Sequence, residues 1–555
     1  MNKKVCSFPI LFALLALLIG TCAVVFPASA QAAPTSTGSI TVSGTVARSY
    51  DAYQIFSANV VDGDSDAKIA TDLAWASDAV RDAALPVLHS AGMPNSQTTA
   101  QEAAEWLNTD SHLTSALSAQ LARSLQSPGA VSVALNAGTT AELSCGYWLI
   151  VADDAAISQN EAGTAPIMAL VGGSAVTVKP KAATPKVAKH VLEDSTAAWQ
   201  KAADATVADD LYWRLSATVP AGLAAYDTYT VRFVDTMSAG LDPSKVAASM
   251  RVYVAAGTDG GFDAVSTGKD GRAGTEPAKG WTDITAQCAT KVAADGTFTV
   301  RTGDLIAALG GADAFTAGAR VVAVYNAPLN GACNHGIAKG NPNEVYLRYP
   351  RSPFADQSGD AGFTRTPSDD ACAYTWDLAL TKRGSDGDKP LAGAVLSIAD
   401  DRSRTLATDG TWDAEGKATV TTGEDGRVTV SGVDSGKLEV RELKAPKGYT
   451  AFEGTHSVTV KAEGLDVDQV AAAKPRLTIT AESPLRADSA DGSTGSLEAS
   501  LINTPTGTPP SITTGGFMPS TGDMAMYAAA AAAVAGAALI VVALLVKRGG
   551  GSHKE

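Results

Sequence analysis

The sequence predicts an all-β chain of tandem β-sandwich domains, the first of which carries a helical insertion. Alternating apolar and polar residues, as in Ser39 to Gly44, indicate half-buried strands. Turns rich in Gly and Asp, as at 256–261, separate many such short strands, and this pattern is typical of sandwiches. The alanine-rich stretch 67–125 has helical patterns instead. A chain of 555 residues has room for about three or four domains.

The first 30 residues have the pattern of a secretory signal peptide. Lys3 and Lys4 precede an apolar core at 10–25, and Ala28-Ser29-Ala30 fits the cleavage rule of small residues. We therefore expect residues 1–30 to be removed and the remainder to be secreted.

Composition divides the secreted part into three predicted domains joined by extended linkers. Two prolines in the segment 179–186 favour an extended backbone. A second linker, rich in Pro, Thr and Gly, begins after Thr504. The predicted regions are an N-terminal domain with the helical insertion at 31–180, a middle sandwich at 181–355, a third sandwich at 372–504, and a tether at 505–522.

An apolar run at 524–546 predicts a C-terminal transmembrane helix. Roughly 23 apolar residues cross a bilayer core of about 30 Å. Lys547 and Arg548 open a polar tail, 547–555, that the positive-inside rule places in the cytoplasm.

A five-residue motif stands before this run: Met518, Pro519, Ser520, Thr521 and Gly522. They resemble the LPXTG cell-wall sorting signal of Gram-positive surface proteins, with Met in place of Leu. The resemblance implies that a sortase cleaves after Thr521 and passes the acyl group to an amine. The alternative is a permanent membrane tail preceded by a chance match.

Charge and motif content argue against several other functions. The net charge of −15 and the absence of a basic stripe argue against nucleic-acid binding. The histidines have no metal-ligand spacing, and the sequence contains neither a Gly-x-Ser-x-Gly elbow nor a phosphate loop. We expect no metal, no cofactor and no enzyme that acts on external substrates.

Four cysteines remain after removal of the signal peptide: Cys145, Cys288, Cys333 and Cys372. Outside the cell four thiols can pair in three ways. Cys288 with Cys333 is the favoured bridge because both fall in the middle domain. Free buried thiols are the alternative.

Two pairs of segments extend the resemblance over nearly the whole chain. The segments 390–394 and 442–449 look like a Cna-B-type immunoglobulin-like domain of Gram-positive pilins, and 233–237 and 340–345 resemble the middle domain of a fimbrial shaft subunit. The chain is thus similar to sortase-assembled major pilins of Gram-positive bacteria.

This resemblance implies tandem immunoglobulin-like sandwiches in a wall-anchored surface pilus. The implied partners are a sortase, identical pilin subunits, ancillary pilins, peptidoglycan and a host receptor for adhesion. The rival functions are a wall-anchored adhesin that never polymerises and an ancillary pilin at the tip or base. A secreted enzyme with a wall anchor is a weaker third.

Pilins of this kind join their subunits through a lysine in a Tyr-Pro-Lys motif near the end of the first domain. Val178-Lys179-Pro180-Lys181 aligns with that motif and departs from it at the Tyr. Lys181 is then the acceptor amine, and Lys179 is the runner-up. Only the neutral amine is a nucleophile.

Three strands of the third domain each place one polar residue on an apolar face. Because a lone buried charge is costly, we expect the polar residues Lys382, Glu442 and Asn503 to meet. The resemblance implies that they form a Lys–Asn isopeptide bond beside a carboxyl group; a buried ion pair or a surface lysine is the alternative. The faces are Trp376, Leu378, Leu380 and Lys382; Leu438, Val440 and Glu442; and Ala499, Leu501 and Asn503.

The middle domain repeats the pattern with Lys189, Asp235 and Asn343. Asn341 and Lys186 are rivals, and alternation alone does not exclude Asn341. The expected first strand of the first domain, Ser39 to Gly44, contains no lysine, so we predict no such bond there.

Overall fold

The computed structural model describes residues 36–507, except for 45–47, 65–66, 110, 127–128, 154–156, 181–182 and 316. The expected signal peptide at 1–30, Lys181, the motif 518–522 and the expected transmembrane segment 524–546 therefore lie outside the described residues. None of the helices in the described part is long and apolar enough to cross a membrane.

The first domain is built around one five-stranded sheet that is covered on both faces. A three-stranded sheet packs on one face through Ile40 and Val42, and three helices pack on the other through residues such as Leu121. The strands are β1 (Thr37–Val42), β2 (Ser49–Asp62), β3 (Lys68–Trp75), β4 (Ser132–Asn136), β5 (Thr140–Ser144), β6 (Gly146–Ala152), β7 (Ile167–Val171) and β8 (Val176–Val178).

The helical insertion is α1 (Asp78–Ser90), α2 (Ala100–Asn108) and α3 (Ser115–Leu125). Its helices begin where a hydroxyl accepts a hydrogen bond from a free backbone N–H, at Ser77, Thr99 and Thr114. The helical pattern expected from residue 67 thus begins at Asp78, because 68–75 pairs with β2 as strand β3.

The middle domain is a sandwich of two sheets with its core between them. One sheet has the order β10-β9-β12-β18-β14-β15, and the other has β11-β21-β19-β13-β17-β16 with β20 beside β19. The elements are β9 (Lys186–Glu193), β10 (Ala198–Gln200), β11 (Ala202–Asp204), β12 (Tyr212–Val219), β13 (Arg232–Met237), α4 (Val246–Ser249), β14 (Arg251–Ala256), β15 (Thr282–Asp283), β16 (Ala289–Val292), β17 (Thr297–Arg301), α5 (Leu305–Ala308), β18 (Ala319–Asn326), β19 (Asn341–Pro350), β20 (Phe363–Arg365) and β21 (Asp369–Tyr374).

The third domain is a second two-sheet sandwich. One sheet has the order β27-β22-β33-β29 with β32 beside β33, and the facing sheet has β25-β24-β23-β28-β30-β31 with β26 beside β23. The strands are β22 (Trp376–Gly384), β23 (Val395–Ala399), β24 (Thr405–Leu406), β25 (Trp412–Asp413), β26 (Val420–Thr421), β27 (Arg427–Val433), β28 (Gly436–Lys444), β29 (Tyr449–Thr450), β30 (Thr455–Glu463), β31 (Arg476–Ala481), β32 (Leu485–Asp491) and β33 (Ser496–Pro505).

The junction between the middle and third domains is one buried residue, Thr375. Strand β21 pairs with β19, so the middle domain extends to Tyr374 rather than ending at 355. The indole of Trp376 donates to Asp204 of the middle domain at 2.6 Å. The expected all-β architecture of tandem sandwiches, with helices inserted in the first domain, is confirmed.

Candidate functional site

The third domain buries the three polar residues that alternation placed on its apolar faces. Lys382 lies on β22, Asn503 on the adjacent parallel strand β33, and Glu442 on β28 of the facing sheet. Lys382 is paired in register with Leu501, two residues before Asn503, so the lysine and asparagine are diagonal neighbours on one face. Their side chains are enclosed between the two sheets.

These three side chains contact one another directly. Lys382 Nζ donates to Asn503 Oδ1 and lies 2.9 Å from Glu442 Oε1. Asn503 Nδ2 lies 3.0 Å from both carboxylate oxygens of Glu442. The backbone N–H of Phe452 also donates to Glu442, at 3.0 Å, and fixes the carboxylate in place. An amine, an amide and an acid therefore meet in a water-poor site.

Burial lowers the pKa of Lys382 to about 8, even though Glu442 opposes that shift. A lysine in this site loses its proton far more readily than a lysine in water. The neutral amine, which is the nucleophilic form, is thus accessible near physiological pH.

In the middle domain the corresponding residues come from both sheets. Asp235 on β13 and Asn343 on β19 are diagonal neighbours, because Asp235 pairs with Val345. Lys189 extends from β9 of the facing sheet across the core. Its Nζ forms an ion pair with Asp235 Oδ2, and all three side chains are fully buried.

Tyr325 is the member of this site that sequence reasoning missed. Its hydroxyl accepts from Lys189 Nζ at 2.9 Å and from Asn343 Nδ2 at 2.9 Å, and it lies 3.2 Å from Asp235 Oδ2. It therefore links the amine, the acid and the amide. The signal for it was weak, since β18 is apolar along nearly its whole length and shows no alternation.

The acid and the amide of this site each keep one buried oxygen without a hydrogen-bond partner, Asp235 Oδ1 and Asn343 Oδ1. Burial raises the pKa of Asp235 to about 6, although Lys189 opposes the shift. Burial also lowers the pKa of Lys189 to about 8. Both shifts favour a neutral amine beside a neutral acid. A protonated Asp235 would also have a hydroxyl that can donate a hydrogen bond to an oxygen that has no partner, such as Asn343 Oδ1.

The structure separates Asn343 and Lys189 from their rivals. Asn341 shares the buried face, but its amide is held by the backbone of Asn334 and Ala373 at 2.9 and 3.2 Å. Lys186 is exposed at the start of β9. The geometry therefore selects Lys189 and Asn343.

The expected disulfide is not present. All four cysteines of the described residues are unpaired. The thiol of Cys288 donates to the carbonyl of Ile284 at 3.3 Å, whereas Cys333 lies 3.5 Å from His335. Because the two thiols contact different parts of the domain, the Cys288–Cys333 bridge was a wrong expectation and the alternative of free thiols holds.

Comparison with known proteins finds a family model that matches the third domain. Residues 377–474 match the model of the SpaA prealbumin-like fold domain. The chain is also 30% identical over 143 residues to the trypsin-resistant surface T6 protein of Streptococcus pyogenes serotype M6. That match covers 24% of this chain and 24% of the T6 protein, so it spans about a quarter of that relative.

Several solved structures are similar to this chain at low sequence identity. The T6 backbone pilin of Streptococcus pyogenes serotype M6 superposes with a TM-score of 0.44 at 17% identity, over 85% of this chain and 98% of that one. The full-length major pilin SpaD of Corynebacterium diphtheriae superposes with a TM-score of 0.40 at 15% identity, over 86% of this chain and 100% of that one.

The depressed pKa of Lys382 has a measurable consequence in the Asn503→Ala variant, where the amine has no amide to attack. Between the folded pKa of about 8 and the ordinary value of 10.5, the unfolded chain binds more protons than the folded chain. The free energy of unfolding should therefore rise by up to about 3 kcal/mol between these pH values.

Urea denaturation across this pH range measures the effect. The Asn503→Ala/Lys382→Met double variant is the control, because it keeps every other titrating group. If the difference in the free energy of unfolding between the two variants stays constant across this pH range, the claim that burial lowers the pKa of Lys382 is contradicted.

Proposed function

We propose that this chain is a structural subunit of a covalently polymerised surface pilus of a Gram-positive cell, with one intramolecular Lys–Asn isopeptide bond in its middle domain and one in its third domain. The observation that carries the proposal is the pair of buried amine, acid and amide clusters. The match of 377–474 to the SpaA prealbumin-like domain and the similarity to the T6 surface protein support it.

The reaction in the third domain is a transamidation. The neutral Nζ of Lys382 attacks Cγ of Asn503, and the N–C bond forms as the bond from Cγ to Nδ2 breaks. Glu442 in its protonated form polarises the amide and carries the proton from Nζ to the departing nitrogen, which leaves as ammonia. The atoms balance without an oxidant, a cofactor or a metal.

The middle domain performs the same step with Lys189, Asp235 and Asn343. Burial raises the pKa of its acid, Asp235, which makes protonation of that acid easier than in water. Tyr325 holds the amine and the amide on one hydroxyl and acts as a positioning residue. Each internal bond forms once per molecule, so the chain is not an enzyme. The joining of subunits is catalysed by a separate enzyme, a sortase.

Both bonds stabilise the domains by closing long loops. The third-domain bond closes 121 residues, and the middle-domain bond closes about 150, so each contributes about 5 kcal/mol in the chain-entropy account of cross-links. An amide is also inert to the reductants that open disulfides. The cross-links therefore suit a chain that must bear load outside the cell.

Polymerisation uses two residues that lie outside the described part of the chain. Thr521 is the acyl donor after cleavage before Gly522, and Lys181 of a neighbouring subunit is the acceptor. The last subunit joins peptidoglycan instead. Lys179, which is exposed on the N-terminal side of the same linker, is the alternative acceptor.

Mass spectrometry tests the internal bonds. Each bond releases one ammonia, so the protein should be about 17 Da lighter per bond than its sequence requires. Tryptic digests should contain two branched peptides, one joining Lys382 to Asn503 and one joining Lys189 to Asn343. Asn341→Ala is the matched control and should retain both; an unchanged mass in the unmodified sequence would reject the bonds.

The positioning role of Tyr325 predicts a selective effect of Tyr325→Phe. Loss of the hydroxyl leaves the ring but frees Lys189 and Asn343 from their common partner, so the middle bond should form slowly or incompletely. The branched peptide at Lys382 should be unaffected in the same sample, which makes it an internal control. Equal and complete formation of both bonds would contradict the role of Tyr325.

The pilus proposal has its own test in the producing cell. Immunoblots of wall extracts should show a ladder of covalent multimers that resists detergent. The ladder should collapse in Lys181→Ala and persist in Lys179→Ala. A ladder that survives Lys181→Ala would reject that acceptor, and a single band in the unmodified strain would favour an adhesin that is anchored but not polymerised.

A further inference from the structure

Four arginines form a row across the outer face of the middle domain. The antiparallel register pairs Arg301 with Arg232, Arg232 with Arg348, and Arg348 with Arg365, on strands β17, β13, β19 and β20. Like charges directly opposite one another destabilise a sheet. This row concentrates positive charge in a chain whose net charge is −15. Since the row should destabilise the sheet, a contribution to stability does not explain it.

The loop at 351–362 covers and neutralises one end of the row. The carboxylate of Asp360 pairs with Arg232 and, at 3.1 Å, with Arg348. The carbonyl of Gln357 accepts from Arg301 at 3.1 Å. Arg365 at the other end forms no ion pair among the residues that the structure describes, and its guanidinium lies 5.0 Å from the ring centre of Tyr346.

A cleft of about 500 Å³ opens at this uncovered end. Its basic side chains are Arg348, Arg351 and Arg365. Its uncharged polar side chains are Ser158, Gln159 and Thr364. The volume lies in the range of small-molecule sites. The cleft therefore combines positive charge with hydroxyl and amide groups.

The edge of the sheet beside this cleft is closed to a peptide strand. The carbonyl of Arg365 accepts from the backbone N–H of Asn160 at 2.9 Å, and Thr364 donates to the carbonyl of Ser158 at 3.0 Å. An incoming peptide thus cannot extend β20 through main-chain hydrogen bonds. The apolar residues of the cleft, Ile157 and Phe363, are buried and give a peptide no side-chain pocket.

From these observations we propose that the cleft binds an acidic saccharide, with Arg365 on its anionic group and the exposed side chains of Ser158 and Gln159 on its hydroxyls. Guanidinium groups bind carboxylate and sulfate through paired N–H donors. The neighbouring polar side chains match the many hydroxyls of a sugar ring. This binding site would add recognition of acidic glycans to a structural chain.

Isothermal titration calorimetry on the purified protein tests this site with tetrasaccharides. Hyaluronan carries carboxylates only, chondroitin sulfate adds sulfates, and chitotetraose is uncharged. We expect binding to at least one acidic tetrasaccharide and none to chitotetraose; binding of both acidic probes identifies the carboxylate as the group recognised, and binding of chondroitin sulfate alone identifies the sulfate.

Two variants and one peptide complete the experiment. Arg365→Gln should weaken binding about tenfold through loss of charge-assisted hydrogen bonds. Arg441→Gln, an equal charge change at an exposed position of β28, should leave it unchanged. Absence of binding to both acidic probes, equal binding of tetraglutamate, or an Arg365→Gln variant that binds as tightly as the unmodified protein would overturn the proposal.

Discussion

A lysine amine enclosed in an apolar core is the constraint on which the middle and third domains depend. An isolated buried charge costs several kcal/mol, and removing its partner leaves that cost uncompensated. Lys189 and Lys382 are each held by an acid and lie in a site that weakens their hold on the proton. In the proposed product the charge is gone altogether, since the amine becomes an amide. The same desolvation that makes the unreacted cluster costly therefore favours the reaction that removes it.

The positions of these lysines in the sheets decide what the cross-links would do. In the third domain, β22 and β33 are the first and last strands and lie side by side in parallel. In the middle domain, Lys189 lies on the first strand and reaches across the core to Asp235 on β13, and its proposed bond is to Asn343 on β19. Tension between the ends of the third domain would thus pass through the amide bond rather than through strand hydrogen bonds. The single buried residue at Thr375 joins the two domains with little slack.

Much of the site could be predicted from the sequence because side chains alternate along a half-buried strand. That rule placed Lys382, Glu442 and Asn503 on buried faces, as the structure has them. The same rule could not choose between Asn341 and Asn343, since residues two apart share a face. The choice depends on partners from other strands, which hold Asn341 by the backbone and bring Asn343 to Tyr325.

Other features could not be predicted from the sequence, and the reasons are again physical. A uniformly apolar strand such as β18 shows no period, so the role of Tyr325 was not visible. Two cysteines in one domain need not be neighbours, and the pairing of Cys288 with Cys333 was wrong. The arginine row depends on strand register, since its members are separated by up to 133 positions in the chain and meet only in the sheet.

The central claim is that the buried amines are consumed as amides, and a high-resolution crystal structure of the protein tests it most directly. The account predicts continuous density from Lys382 Nζ to Asn503 Cγ at about 1.33 Å, the length of an amide C–N bond, with Nζ in the place of the departed Nδ2. Lys189 and Asn343 should show the same. An intact Asn503 amide with the lysine nitrogen at hydrogen-bond distance, about 2.9 Å, would contradict the claim.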